Sequence, residues 1–395
     1  MNNRLAFILG IRPDVIRASL IIKHLRRYAD CELHLVWSGQ HYSDNLKGIF
    51  FRELDVVPAE IDLACGGETD AHIAASVISG LYPVLRGLDP AAAVFLGDNN
   101  TTLGAIAAAQ LNVPVVHIEG CMRSYDWRMP EEKYRTTIDH LADVIYAYVD
   151  EYKTQGIREG LNPANIVVVG NPIVDVLEHY YFSRLSRYEA MMTDAFFADR
   201  GVRRGEYYLM TCHRRENVEQ RGTLEAILRL VGEAPHPVYF PASYRTQQRL
   251  RDFGLALPPN VNVVDPIGYE EMLCLMVGSR GVLTDSGTVV EEACVLQVPS
   301  VQMRRATERP QVYDARSSVK FDPAEPESYP SPTVFRKLES LVGTRWTHNL
   351  GDGRASERIA EDLHRRLATG DLSRHRPEHY HLPIDRSYRG DGLDT

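Results

Sequence analysis

Short apolar runs alternate with helical patterns along this chain, and the alternation happens twice. LAFILG (5–10) leads into a helical segment containing VIRASLIIKHLRR, ELHLVWSG (32–39) follows, and AAAVFLGD (91–98) leads into the Ala-rich LGAIAAAQL. VPVVHIEG (113–120), VIYAYVD (144–150) and NIVVVGN (165–171) complete a first series. Runs that are apolar at nearly every position suit strands buried on both faces, as in a parallel sheet covered by helices. The pattern then restarts with YYLMTC (207–212), PVYFPA (237–242), VNVVD (261–265), GVLTDSG (281–287) and PSVQM (299–303), with TLEAILRLVGEA and EEMLCLMV between them. A length of 395 residues fits two cores. The predicted fold is therefore α/β, with two Rossmann-like doubly wound domains facing an inter-domain cleft. The expected limits are 1–180 and 181–365, with the changeover in the stretch 172–205. Residues 366–395 have no strand or helix period and are read as a tail without assigned function.

Composition narrows the partners. The net charge is −9, so a phosphorylated ligand must be met by local Arg, His and backbone N–H groups. No basic stripe or stacking-aromatic motif is present, which argues against nucleic acid. No apolar stretch approaches the roughly 20 residues of a membrane span. The start, Met1-Asn2-Asn3-Arg4, lacks a signal-peptide pattern, and the six scattered cysteines show no metal-binding or disulfide spacing. Reduced, mostly buried thiols in a cytoplasmic protein are expected.

In doubly wound sheets the chemistry collects at the carboxyl ends of strands, so polar residues there are the candidates. Gly10-Ile11-Arg12-Pro13-Asp14 ends the first strand, and Arg12 offers a guanidinium fork to phosphate. Asp98 ends the 91–98 run, although capping of the next helix is the plainer reading of that stretch. Glu119 ends an apolar strand. Glu131 and Glu132 follow at a helix start, where Glu132 is read as serving only the acidic first turn. His213 stands after YYLMTC, in the position that Arg12 and Asp98 hold in the first half. Ser286-Gly287 opens a helix whose free N–H groups suit a phosphate, with Glu291 and Glu292 one turn inside. Arg309, in Thr307-Glu308-Arg309-Pro310, adds another cation.

Taken together, IRPD, SGQHYS, LGDNNTT, HIEGCMRS, MPEE, GNPIVD, CHRREN, LTDSG–EEA and TERP resemble, in order and spacing over roughly residues 4–320, the non-hydrolysing UDP-N-acetylglucosamine 2-epimerase family. The resemblance implies a glycosyltransferase-B-like fold, a homodimer, a UDP-sugar substrate and no metal or redox cofactor. It implies that Arg12, Ser286 and Gly287 hold the diphosphate and that Glu292 binds ribose. His213 would lie near the departing diphosphate, and Asp98, Glu119 and Glu131 would form the acid/base group. Arg17 falls where many members have Lys, and Arg309 where members contact the ligand. The implied chemistry removes the C2 proton as UDP leaves C1, then re-adds UDP to the 2-acetamidoglycal with protonation from the other face.

The chain departs from the family pattern at Asp14 (usually Glu), Gly120-Cys121 (usually Ala-Gly), Thr288, Gln311 and Ser243-Tyr244 (usually His-Pro). Ser43 and Ser243 replace longer polar groups that serve an activating second UDP-GlcNAc in bacterial members, so independence from that activator is expected. The short interval from Glu119 to Glu131 resembles two subgroups, acting on UDP-GlcNAc or on UDP-6-deoxy-2-acetamido sugars. The rivals are a glycosyltransferase, which would need an acceptor site, a hydrolysing epimerase, and a sensor, which would be expected to lack the acid/base residues.

Overall fold

A computed structural model describes residues 2–39 and 51–372. The first series of runs forms β1 (Arg4–Leu9), β2 (Glu32–Trp37), β3 (Ile61–Asp62), β4 (Ala92–Leu96), β5 (Val115–Ile118), β6 (Val144–Ala147) and β7 (Ile166–Val168). These strands pair in parallel in the order β3-β2-β1-β4-β5-β6-β7. The second series forms β8 (Tyr208–Thr211), β9 (Val238–Pro241), β10 (Val261–Val264), β11 (Gly281–Thr284), β12 (Ser300–Met303) and β13 (Ser318–Phe321). They too are parallel, in the order β10-β9-β8-β11-β12-β13. β1 and β4 to β6 are buried along all or nearly all their length, as runs with no polar face require.

Each sheet reverses its strand order once, between β1 and β4 in the first and between β8 and β11 in the second. At such a switch the flanking connections leave in opposite directions and open a crevice at the carboxyl ends of the strands. The two crevices hold Arg12 and Asp98 on one side of the cleft, and His213 and Ser286 on the other. Two parallel doubly wound domains across a cleft is the glycosyltransferase-B-like arrangement.

The expected changeover region, 172–205, is largely helical, with helices Pro172–Tyr180, Leu185–Met191 and Asp194–Ala198. The expected tail, 366–395, lies outside the described residues from 373 onward, and its described start differs from expectation. A helix runs from Ala355 to Thr369, past the anticipated limit at 365, and Gly370 closes it in the left-handed conformation (φ 71°). It follows the second domain in sequence yet packs on the first, against the helix Arg12–Leu25. Its buried Ile359, Ala360, Leu363 and Leu367 join the first domain's core. Tyr146 donates to Asp362 at 2.9 Å, Arg358 donates to the Val169 carbonyl at 3.0 Å, and the His364 ring stacks on Tyr28 with centroids 3.9 Å apart.

Direct bonds join the domains. The Tyr269 N–H donates to Glu53 at 2.7 Å, the Tyr152 hydroxyl donates to the Glu308 carbonyl at 2.8 Å, and Arg215 pairs with Asp70. All six cysteines are free thiols. Among the described residues no helix is long and apolar enough to cross a membrane.

Candidate active site

The loop after β1 is shaped by Asp14. Its carboxylate accepts from the Gly10 and Ile11 N–H groups at 3.0 and 3.1 Å and from Asn99 at 3.0 Å, and it pairs with Arg17 at 3.3 Å. Burial raises its pKa to about 6, against the opposing pull of Arg17 and the hydrogen bonds. The turn is tight enough that a Cβ at Gly10 would lie 1.8 Å from the Thr101 hydroxyl. Asp14 thus braces the start of the helix that carries Arg12 and Arg17. Arg12 reaches into the cleft, where its charge is felt by His213 of the opposite domain.

Glu119 follows β5 with φ 79°, a left-handed backbone that costs a non-glycine residue about 1–3 kcal/mol. The distortion aims its side chain into the cleft. One oxygen pairs with Arg17 of the same domain, and the other accepts from Arg309 of the second domain at 2.5 Å. The Tyr148 hydroxyl adds a 3.4 Å contact. Arg309 is almost fully buried and also pairs with Glu308 and, at 3.1 Å, with Glu291.

Asp98 follows β4 and pairs with the buried Arg135, whose other nitrogen bonds Glu132 at 2.5 Å. Burial pushes the Asp98 pKa up, but Arg135 and Arg214 outweigh it and hold the pKa at about 2. Glu131 faces Arg214 across the cleft at 3.7 Å. Its pKa is raised, first by burial and then by Asp98 and Glu216, with Arg214 opposing. Neighbouring surroundings therefore push the two carboxylates apart, Asp98 downward and Glu131 upward, the separation that acid/base chemistry needs. Glu132 sits in the first helical turn, but it is buried and pins the preceding turn by accepting from the Ser124 and Tyr125 N–H groups at 3.1 and 2.9 Å.

In the second domain, Asp285 accepts from the His213 and Arg214 N–H groups, each at 2.9 Å, and fastens the loop after β8 to the end of β11. The His213 ring keeps 46% of its side-chain surface open to the cleft, with Nδ1 3.6 Å from Asp285. Desolvation lowers its pKa, Asp285 opposes this, and Arg214, Arg12 and Arg245 add to the lowering. Ser286 caps the helix Gly287–Val295 by accepting from the Val289 N–H at 3.4 Å. Gly287 lies under Arg309, where a Cβ would come within 2.5 Å of the guanidinium. Glu292 is buried and accepts from the Tyr269 hydroxyl at 2.9 Å.

The cleft thus brings together Asp98, Glu119, Glu131, Arg17 and Arg309 and sets Arg12 and His213 on facing walls. Glu292 stands apart from the carboxylate cluster, nearly two helical turns behind Ser286. Sequence reasoning passed over Arg135, Arg214, Arg304 and Glu308. Three of these lie in or beside CHRREN and TERP, so adjacency to a strand end could have found them. Arg135 lies inside a helix, and nothing in its spacing sets it apart. Ser43 lies outside the described residues, and Ser243 caps the helix Tyr244–Asp252 through the Thr246 N–H at 3.2 Å.

The family model for UDP-N-acetylglucosamine 2-epimerase matches residues 23–364. The chain belongs to this family. A UDP-N-acetylglucosamine 2-epimerase from Methanocaldococcus jannaschii is 32% identical over 371 residues, covering 91% of this chain and 98% of the relative. A UDP-2,3-diacetamido-2,3-dideoxy-D-glucuronate 2-epimerase from Pseudomonas aeruginosa is also 32% identical, over 365 residues, covering 90% of this chain and 98% of the relative. The crystal structure of the Methanocaldococcus jannaschii UDP-GlcNAc 2-epimerase with UDP-GlcNAc and UDP is similar with a TM-score of 0.82 at 32% identity. That match covers 91% of this chain and 99% of that one. The relatives are carbohydrate epimerases, and the chain shares their architecture from end to end of the match.

Proposed function

We propose that this epimerase interconverts UDP-GlcNAc and UDP-ManNAc by elimination and re-addition of UDP. The observation that carries the reading is Glu119, held in a strained conformation between Arg17 of one domain and Arg309 of the other. A diphosphate entering the cleft competes with Glu119 for those cations and frees the carboxylate beside the sugar. Arg12 and the N–H groups at the start of the helix Gly287–Val295 complete the diphosphate site, with Ser286 at its edge. Glu292 takes the ribose hydroxyls in exchange for Tyr269.

Inversion at C2 needs one group to take a proton and another to return one to the opposite face. Asp98 and Glu131, whose surroundings push their pKa values in opposite directions, take these two parts, and in the reverse direction they exchange roles. The C2–H electrons form the C1=C2 bond as the C1–O bond breaks, and UDP leaves with the bonding pair. His213 and the surrounding cations stabilise that departing charge. The working unit is proposed to be a homodimer in the cytoplasm.

The test is UDP-GlcNAc incubated with the protein in heavy water and followed by NMR. UDP-ManNAc carrying deuterium at C2 is expected, and conversion that keeps the original C2 proton rules the mechanism out. Release of free ManNAc would assign a hydrolysing outcome. Asp98→Asn, Glu119→Gln and Glu131→Gln should each slow turnover by about 10²-fold or more; UDP affinity should change far less in the Asp98 and Glu131 variants and rise in Glu119→Gln, which no longer competes for Arg17 and Arg309. The equal identity to the Pseudomonas aeruginosa relative motivates a second substrate reading, a UDP-2,3-diacetamido uronate. Initial rates on the two UDP-sugars side by side decide between them.

A further inference from the structure

Glu308 is the acidic member of the TERP stretch, and the proposed chemistry gives it no part. It lies in the loop after β12, wholly buried, and gathers cations from both domains. Arg304 reaches both oxygens, at 2.9 and 3.2 Å, Arg309 pairs with the second, and Arg214 stands 3.6 Å from that second oxygen. From the first domain comes Arg135, whose Nη2 lies 3.9 Å from Glu308 while it bonds Asp98. The same nitrogen therefore stands between a carboxylate of its own domain and one from across the cleft. Tyr152, also of the first domain, holds the Glu308 carbonyl and fixes the loop. A charge buried this deeply is costly unless paired. Here, however, the paired cations are also the ones that bear on the reacting carboxylates.

We infer that Glu308 is a positioning residue for the epimerisation: it draws Arg135, Arg214 and Arg309 partly onto itself, limits the positive charge pressing on Asp98, and so leaves Asp98 able to take a proton from the sugar. The inference rests on the reading of Asp98 and Glu131 as the proton-transfer pair. The charged groups that face Asp98 are Arg135 and Glu131 from the helix Pro130–Leu141, Arg214 from the loop after β8, and Glu308 and Arg309 from the loop after β12. Glu131 faces Arg214, Asp98 and Glu216. Of the groups around Asp98, burial and Glu308 raise its pKa and the arginines lower it. Glu308 itself is held far below the usual carboxylate range by Arg304, Arg309, Arg135 and Arg214, against the effect of its burial, so it stays charged throughout the working range.

The charge argument predicts opposite effects for two neutral substitutions. Glu308→Gln leaves the arginines unopposed. Its kcat should fall about tenfold or more and the acid limb of its pH–rate profile should move to lower pH, while KM for the anionic UDP-sugar stays the same or drops. Arg304→Gln removes a cation that touches Glu308 and not Asp98, so its acid limb should move to higher pH. Glu308→Asp keeps the charge and should keep the wild-type limb even with slower turnover. These two variants carry the test if Glu308→Gln does not fold. Coincident limbs in all variants, or limbs moving the same way in Glu308→Gln and Arg304→Gln, overturn the inference. A purely structural role would instead raise KM without moving the limb. Wild-type exchange of the C2 proton in heavy water keeps the two questions separate. Its absence sinks the underlying reading, and its presence with unmoved limbs sinks only the role of Glu308.

Discussion

Glu292 is 3% exposed, accepts one hydrogen bond from Tyr269 and neighbours Glu291 in the same helix. Burial is the main cause that pushes its pKa up to about 8, with Glu291 adding and Tyr269 and Arg17 opposing. The folded group is therefore neutral where an unfolded Glu, near 4.5, is already ionised. Below that value both states hold the proton and there is no penalty. As pH rises toward 8, stability falls by about 1.4 kcal/mol per pH unit on account of this group. Glu292→Gln removes the dependence and can still accept from Tyr269. Chemical denaturation should find the variant and the wild type alike near pH 4.5, with the variant increasingly the more stable up to pH 8. A constant gap across that range would show that Glu292 is ionised in the fold. The same residue marks a limit of sequence reading. Its place inside the helix after Ser286 was legible, but its partner Tyr269 comes from a separate helix, and no local pattern names it. Asp98, Glu119 and His213 were legible because each ends an apolar run, whereas Arg135 became visible only when three dimensions set it against Asp98.

At the scale of single elements, the helix Gly287–Val295 shows why a residue type can be fixed by something outside its own element. Gly287 does not have a positive φ, so backbone freedom is not what requires glycine. Its constraint is Arg309, which lies close above it and is pinned by Glu119, Glu291 and Glu308. Gly287 is the first residue of its helix, and a Cβ there meets the buried, paired Arg309, so Gly287→Ala should lower the thermal midpoint. It should also displace Arg309 from Glu119 and lower kcat/KM by about tenfold or more. Unchanged kinetics would mean that Arg309 can move aside freely. Among the strands, those buried on both faces announced themselves as apolar runs. β3, two residues long, and β13, an edge strand carrying Lys320, gave no such pattern. Their pairing is dictated by the neighbouring strand rather than by their own composition.

Over the whole molecule, the restart of the strand–helix alternation was enough to foresee two parallel sheets and a cleft, because each unit needs its own buried sheet. It was not enough to foresee where the last helix goes. The amphipathic stripe of Ala355–Thr369 fits any apolar surface, and only the assembled fold shows that the surface belongs to the first domain. That helix has a consequence for synthesis. The segment Arg12–Leu25, which carries Arg12 and Arg17, is made long before the helix it packs against. Tyr146 waits 216 residues for Asp362. A nascent chain can pair its first strands early, but one face of the first layer stays uncovered during translation, with apolar surface open to unwanted association. The helix Ala355–Thr369 acts as a clasp, and a chain that stops before residue 355 leaves the first domain unfinished although the strands of both sheets are complete.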